Sequence, residues 1–172
     1  WLTANAVFGL FPAYAQEDDV IIMHENKPVK LCFLRQQIKK TAGQPNVSLA
    51  DYIKPQSELA DGETDYMGAF AVTAGLDIEK WLEKFKADHD DYNSIMLKAL
   101  ADRLAEAFTE LLHEKVRREF WGYAADENFK NDQLIREEYS GIRPAPGYPA
   151  CPDHTEKWKM FDLLNATENT GI

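Results

Sequence analysis

The hydrophobic period changes partway along the chain, and the change separates a strand-forming stretch from a helix-forming one. Residues 18–25 (DDVIIMHE) and 29–35 (VKLCFLR) are short apolar runs rich in β-formers. The turn residues Asn26-Lys27-Pro28 lie between them, so the pair predicts a β-hairpin. Residues 41–64 are mostly polar and hold Gly43, Pro45, Pro55 and Gly62, which predicts a loop with short ordered pieces. Residues 66–74 (YMGAFAVTA) predict a third strand, with Gly68 permitting close backbone approach. From about residue 77 the period becomes helical. Trp81, Leu82 and Phe85 make a first short apolar face, and residues 88–93 hold a break or cap. Leu97, Leu100, Leu104, Phe108, Leu111 and Val116 then recur at three, four or five. They predict a helix over 92–119, roughly 40 Å long at about 1.5 Å per residue, with Gly122 as its stop. A short helix over 131–139 and a last one over 156–168 follow. The last is preceded by Asp153, with Glu156 three residues on, as in a capping box. The fold class is α+β: a small antiparallel sheet first, then several helices with one long central helix. No internal repeat or low-complexity tract interrupts this order.

Composition narrows the function classes. The 172 residues suit a single domain over 1–172, long enough to bury a core without disulfides or metal. The formal net charge of -10 disfavours a nucleic-acid backbone or an anionic membrane surface as partner. It permits a cationic ligand or a basic protein, and it also serves plain solubility. Two cysteines, Cys32 and Cys151, fit a reducing cytosol. The first residues lack the basic segment of a signal peptide, and no apolar run reaches the length of a membrane span. The chain opens on Trp1, as expected of a segment cut from something larger. Cys151 and His154 make a Cys-x-x-His pair, but two close ligands fall short of the four of a structural zinc site, so no metal is expected within the chain.

One stretch stands apart from the helix formers around it. In IRPAPGYPACPDHTEK (142–157), four prolines fall within nine residues, Pro144 to Pro152. Each fixes φ, removes a donor and pushes its predecessor toward extended geometry. The segment from 143 to 151 therefore predicts an extended loop with few internal hydrogen bonds, and Gly147 is its one freely adjustable point. Such a loop is ordered before a ligand arrives and loses little entropy on binding. A rigid connector between two helices is the plain alternative. Arg143, at the mouth of the loop, is suited to hold a carboxylate in a bidentate pair. A structural salt bridge to Glu137 or Glu138 would use it equally well.

This proline motif, preceded by REEYSGI, resembles the C-terminal activation (reactivation) domain family of cobalamin-dependent methionine synthase. WLTANAVFGLFPA at the start, FLRQQ at 33–37, DYMGAFAVTAG at 65–75, ALADRLAEAF at 99–108 and FWGYA at 120–124 are similar to that family in the same order. The resemblance implies an unusual α+β fold with a twisted antiparallel sheet, unlike the Rossmann-type methyltransferases. The chain indeed has no G-x-G-x-x-G after a strand. It implies a domain that binds S-adenosylmethionine and presents its methyl group for reductive methylation of inactive cob(II)alamin, with an electron from a flavodoxin-type donor. By that resemblance Arg143 holds the ligand carboxylate. The main chain around Pro144, Ala145, Gly147, Tyr148 and Ala150 lines the adenosyl and methionyl portions, and Glu106 of DRLAEA belongs to the binding region.

Tyr148 then sits near the ligand on the cobalamin side, with packing on the prolines as its alternative. For Asp102, one turn before Glu106, and for Glu137, a surface salt bridge is the favoured reading. No catalytic acid or base is implied, because the sulfonium is already activated and the protein's contribution is positioning. The resemblance also implies that cobalamin is bound by another domain of the same enzyme, that the enzyme's zinc lies outside this chain, and that the location is cytoplasmic. The enzyme would be 5-methyltetrahydrofolate–homocysteine methyltransferase, of which this chain would be an accessory part, not catalytic alone. The family's upstream IDW-type stretch, which supplies an aspartate, and its downstream G-x-YF segment are not in the chain, so it is expected to be an incomplete activation domain. A protein-interaction module that docks the cobalamin domain and the reductase without binding ligand is the alternative function.

Overall fold

The computed structural model describes residues 1–172. Four strands form one sheet in the order β3-β2-β1-β4: β1 Ala4–Gln16, β2 Asp19–His24, β3 Lys27–Cys32 and β4 Asp65–Ala74. The predicted hairpin is β2–β3, paired antiparallel from Asp19↔Cys32 to His24↔Lys27. Its turn is Glu25-Asn26, at φ 48° and 61°, the positive-φ pair whose twist matches the flanking strands. Lys27 and Pro28, expected in the turn, instead pair with His24 and Met23. Pro28 is tolerated because β3 is an edge strand.

The longest strand, β1, was not among the predicted ones, because Gly9 and Pro12 interrupt its pattern. Its register with β2 runs only over Ala13–Gln16, so β2 asks no N–H of Pro12. At Gly9 the ring of Phe11 folds back over the strand, and a Cβ there would meet it at 2.5 Å. β4 begins as expected of a half-buried strand, with Met67 and Ala69 buried between exposed Tyr66 and Gly68.

By packing, the chain forms two compact units. One comprises residues 8–69 and 141–165. Its core is the hairpin: Val20, Ile22, Leu31 and Phe33 are essentially inaccessible, with Ala50, Cys151, Leu163 and Leu164 also buried. Helix α4, Glu156–Leu164, lies against β3, where Lys159 Nζ donates to Lys30 O at 2.9 Å. The helix expected over 156–168 breaks at Asn165, which is left-handed at φ 45°. The expected capping box is also replaced. Asp153 Oδ1 accepts from the backbone and hydroxyl of Thr155, while Glu156 turns inward and accepts from Lys159 at 2.9 Å.

The other unit comprises residues 1–7, 70–140 and 166–172. It holds α1 Glu79–Ala87, α2 Asp91–Lys115, α3 Asn131–Ile135 and α5 Ala166–Thr170. His89, at φ 55°, makes the break between α1 and α2. Asp90 then caps α2, its Oδ1 accepting from Asn93 N at 3.0 Å. The inward stripe of α2 runs Leu97, Ala101, Leu104, Phe108, Leu112, Val116, with steps of three and four; Leu97, Ala101, Leu112 and Val116 are buried, and Leu104 and Phe108 are half-buried. Leu100 and Leu111, expected on it, are rotated off and exposed at 53% and 48%. Beyond Lys115 one π turn, Val116–Phe120, extends the helical run, which stops before Gly122 as expected. Helix α3 is shorter than the predicted 131–139 because Glu137 adopts φ 55°. Asn5 Nδ2 ties the start of β1 to the Thr170 carbonyl of α5 at 3.0 Å. No helix is long and apolar enough to cross a membrane.

Candidate functional site

The proline segment is not an extended strap. It closes on itself. Tyr148 N donates to Ala145 O at 2.9 Å, Gly147 N to Cys151 O at 2.8 Å, and Cys151 N to Tyr148 O at 2.9 Å. Cys151 Sγ adds a contact to Ala145 O at 3.1 Å. Prolines at 144, 146 and 149 lack N–H groups, and of the four donors that remain between 147 and 151, three (Gly147, Tyr148 and Cys151) are spent in two tight reversals. Gly147, at φ 106°, makes the turn that an L side chain resists. The expectation of few internal hydrogen bonds is corrected here: proline limited which bonds could form, and glycine let them close.

The frame then fixes the loop. Leu49 N donates to Ala150 O at 2.8 Å. Leu49 opens a 3-10 turn, Leu49–Tyr52, capped by Ser48. The Ser48 hydroxyl is fully buried and donates to Phe33 O, just beyond β3, at 2.7 Å. Asp51 accepts from Ser48 N at 2.9 Å and takes both Nη1 and Nη2 of Arg35 at 2.7 Å. Arg35 also donates to Asp18 Oδ1, at the β1–β2 turn, through Nε at 2.9 Å and Nη2 at 2.6 Å. The Arg35 guanidinium, bonded to it, holds the Asp51 carboxyl below its ordinary range. A continuous path therefore runs from the hairpin core through Ser48 to Ala150. None of Ser48, Leu49 or Arg35 was singled out from the sequence as part of the site. The Ser-x-x-Asp pattern at 48–51 was the available signal.

Within this scaffold Arg143 is half-buried at the loop's entry, and Pro144 and Pro146 are partly covered. Tyr148 is 61% exposed. Glu138, one of the two suggested partners of Arg143, is taken by Arg136 Nε at 2.7 Å and Gln133 Nε2 at 3.1 Å. Cys151 is 2% exposed, and burial pushes its thiol up, so it is a neutral packing group and not a nucleophile. The Ala145 N–H and the carbonyls of Pro146, Gly147 and Pro149 have no hydrogen bond inside the protein. They are the main-chain groups the loop offers to a polar ligand. Residues 143–150 are thus brought together in one unit. Glu106 is presented by α2 in the other, exposed, its Oε2 accepting from Arg103 Nη1 at 2.6 Å. Asp102, also on α2, is exposed, as is Glu137.

A four-stranded sheet carrying a rigid Arg-Pro-rich turn, with no glycine-rich phosphate turn, defines an α+β module of the non-Rossmann kind. The family model for the vitamin B12 dependent methionine synthase activation domain matches residues 1–172. The chain belongs to that family. A solved structure, the MetH reactivation domain bound to AdoHcy, shares 52% identity with it at a TM-score of 0.89. The match covers 99% of this chain and 52% of that one, so the chain spans about half the length of the structure it resembles.

Proposed function

We propose that this chain binds S-adenosylmethionine through residues 143–150 and serves as a reactivation module of cobalamin-dependent methionine synthase. The observation that carries the reading is the self-bonded loop with Arg143 at its entry, in a chain 52% identical to a reactivation domain solved with AdoHcy. Bound there, S-adenosylmethionine supplies a methyl group on a sulfonium leaving group. The protein's own residues position it. Arg143 pairs with the carboxylate in a bidentate fork. The Ala145 N–H and the open carbonyls of Pro146, Gly147 and Pro149 hydrogen-bond its polar edges. Tyr148, exposed beside them, faces the acceptor side.

In this reading the acceptor is cobalamin held by another domain of the same enzyme, the reducing electron comes from a flavodoxin-type donor, and the setting is methionine biosynthesis in the cytoplasm. The enzyme as a whole is then a 5-methyltetrahydrofolate–homocysteine methyltransferase. The test is affinity. Arg143→Ala should weaken S-adenosylmethionine binding by about 2–4 kcal/mol, as expected for a broken charge pair. An unchanged dissociation constant in a folded variant would end this assignment and favour a pure docking role.

A further inference from the structure

The imidazole of His154 lies directly against Gly147: a Cβ built on Gly147 would meet His154 Cε1 at 2.2 Å, Nε2 at 2.6 Å and Nδ1 at 2.9 Å. No side chain fits between them. His154 belongs to the turn that leads into α4, with Lys157 N donating to its carbonyl at 3.3 Å. Helix α4 is in turn held on β3 by Lys159. The ring is exposed on its outer side, so core packing does not explain it. It touches the loop at the residue whose φ of 106° sets the reversal, while Leu49 holds the far end at Ala150.

We propose that His154 is a positioning residue for the ligand loop, its ring bracing the Gly147 reversal so that the Ala145 N–H and Tyr148 are presented in fixed directions. This rests on the binding reading above. The brace acts by shape: with the ring in place, the Gly147 N–H stays on Cys151 O, and the loop is ordered before ligand arrives. The same contact adds to the backbone conformation in opposing any side chain at residue 147.

The experiment uses the protein at its full natural length and two readouts. One is affinity for S-adenosylhomocysteine. The other is hydrogen exchange of the residue-147 amide, which needs no ligand. His154→Ala is expected to weaken binding about tenfold and to speed exchange at residue 147 by a comparable factor, with the melting temperature unchanged. His154→Phe, which keeps a flat ring, should recover most of both. Gly147→Ala should cost more affinity in the wild-type background than beside His154→Ala, because the overlap with the ring is then gone. Equal costs in the two backgrounds, or unchanged exchange in His154→Ala, would overturn the proposal. Should the wild-type protein bind no S-adenosylhomocysteine, the binding reading fails, and the exchange comparison still decides the bracing role.

Discussion

Each unit is organised around an arginine that grips carboxylate, and the two grips differ in burial. Arg35, in the unit that carries the loop, has a side chain 36% exposed and holds Asp18 and Asp51. Arg117, in the helical unit, is fully buried. Its Nε and Nη2 donate to Glu127 at 2.9 and 2.5 Å, and Nη1 donates to His113 Nδ1 at 2.6 Å. Its guanidinium also lies 4.1 Å from the centre of the Tyr139 ring. A guanidinium has no acceptor, so His113 must accept and carry its proton on Nε2. Burial pulls Arg117 toward losing its proton, and the Glu127 carboxylate more than offsets that pull, so the group stays charged. The lesson is that the same pairing does two jobs. At Arg35 water screens the charges, and the grip mainly fixes where two turns lie. At Arg117 the charge is out of water, and every partner is needed to keep it there.

This contrast orders the expected effects. The largest is Glu127→Ala. It leaves a buried guanidinium without its counter-charge and should cost about 3–5 kcal/mol of stability, read as a shift of the urea midpoint. A cost under about 1 kcal/mol would mean that water reaches Arg117 and would erase the distinction. Asp51→Asn should cost far less, on the order of 1 kcal/mol or below, since asparagine can still accept from Ser48 N. Its signature is in pH. Asp51 titrates below its unfolded value of about 4, so its ion pair stabilises the fold above that value and is lost as pH falls through the depressed one. Asp51→Asn should therefore flatten the acid limb of the stability curve and leave it unchanged at neutral pH apart from a constant offset. An acid limb identical to wild type would show that the exposed grip contributes nothing.

Period alone made β2, β3, β4 and α2 legible, because each buries one face and its apolar residues recur accordingly. Strand β1 was hidden by Gly9 and Pro12, which read as breakers until the short register with β2 and the Phe11 ring account for them. Leu100 and Leu111 matched a helical spacing loosely, yet the face that turns inward is the one holding Leu97, Ala101, Leu112 and Val116, and small Ala101 carries little weight in a hydrophobic count. The site was legible as a motif and not as a shape. Prolines announce stiffness, but whether a stiff segment runs straight or folds back depends on a glycine and on partners such as Leu49 and His154. These lie 101 positions before Ala150 and seven after Gly147, respectively. The Arg117 cluster left no trace in sequence, since its residues are spread from His113 to Tyr139 and look like ordinary surface polar groups.

The central claim is that residues 143–150 receive the ligand. Amide chemical-shift mapping of the protein titrated with S-adenosylhomocysteine tests it most directly. The account predicts saturable shifts largest at Ala145, Gly147 and Tyr148, abolished by Arg143→Ala. Saturable shifts that leave those three amides unmoved, or that survive Arg143→Ala intact, would contradict it.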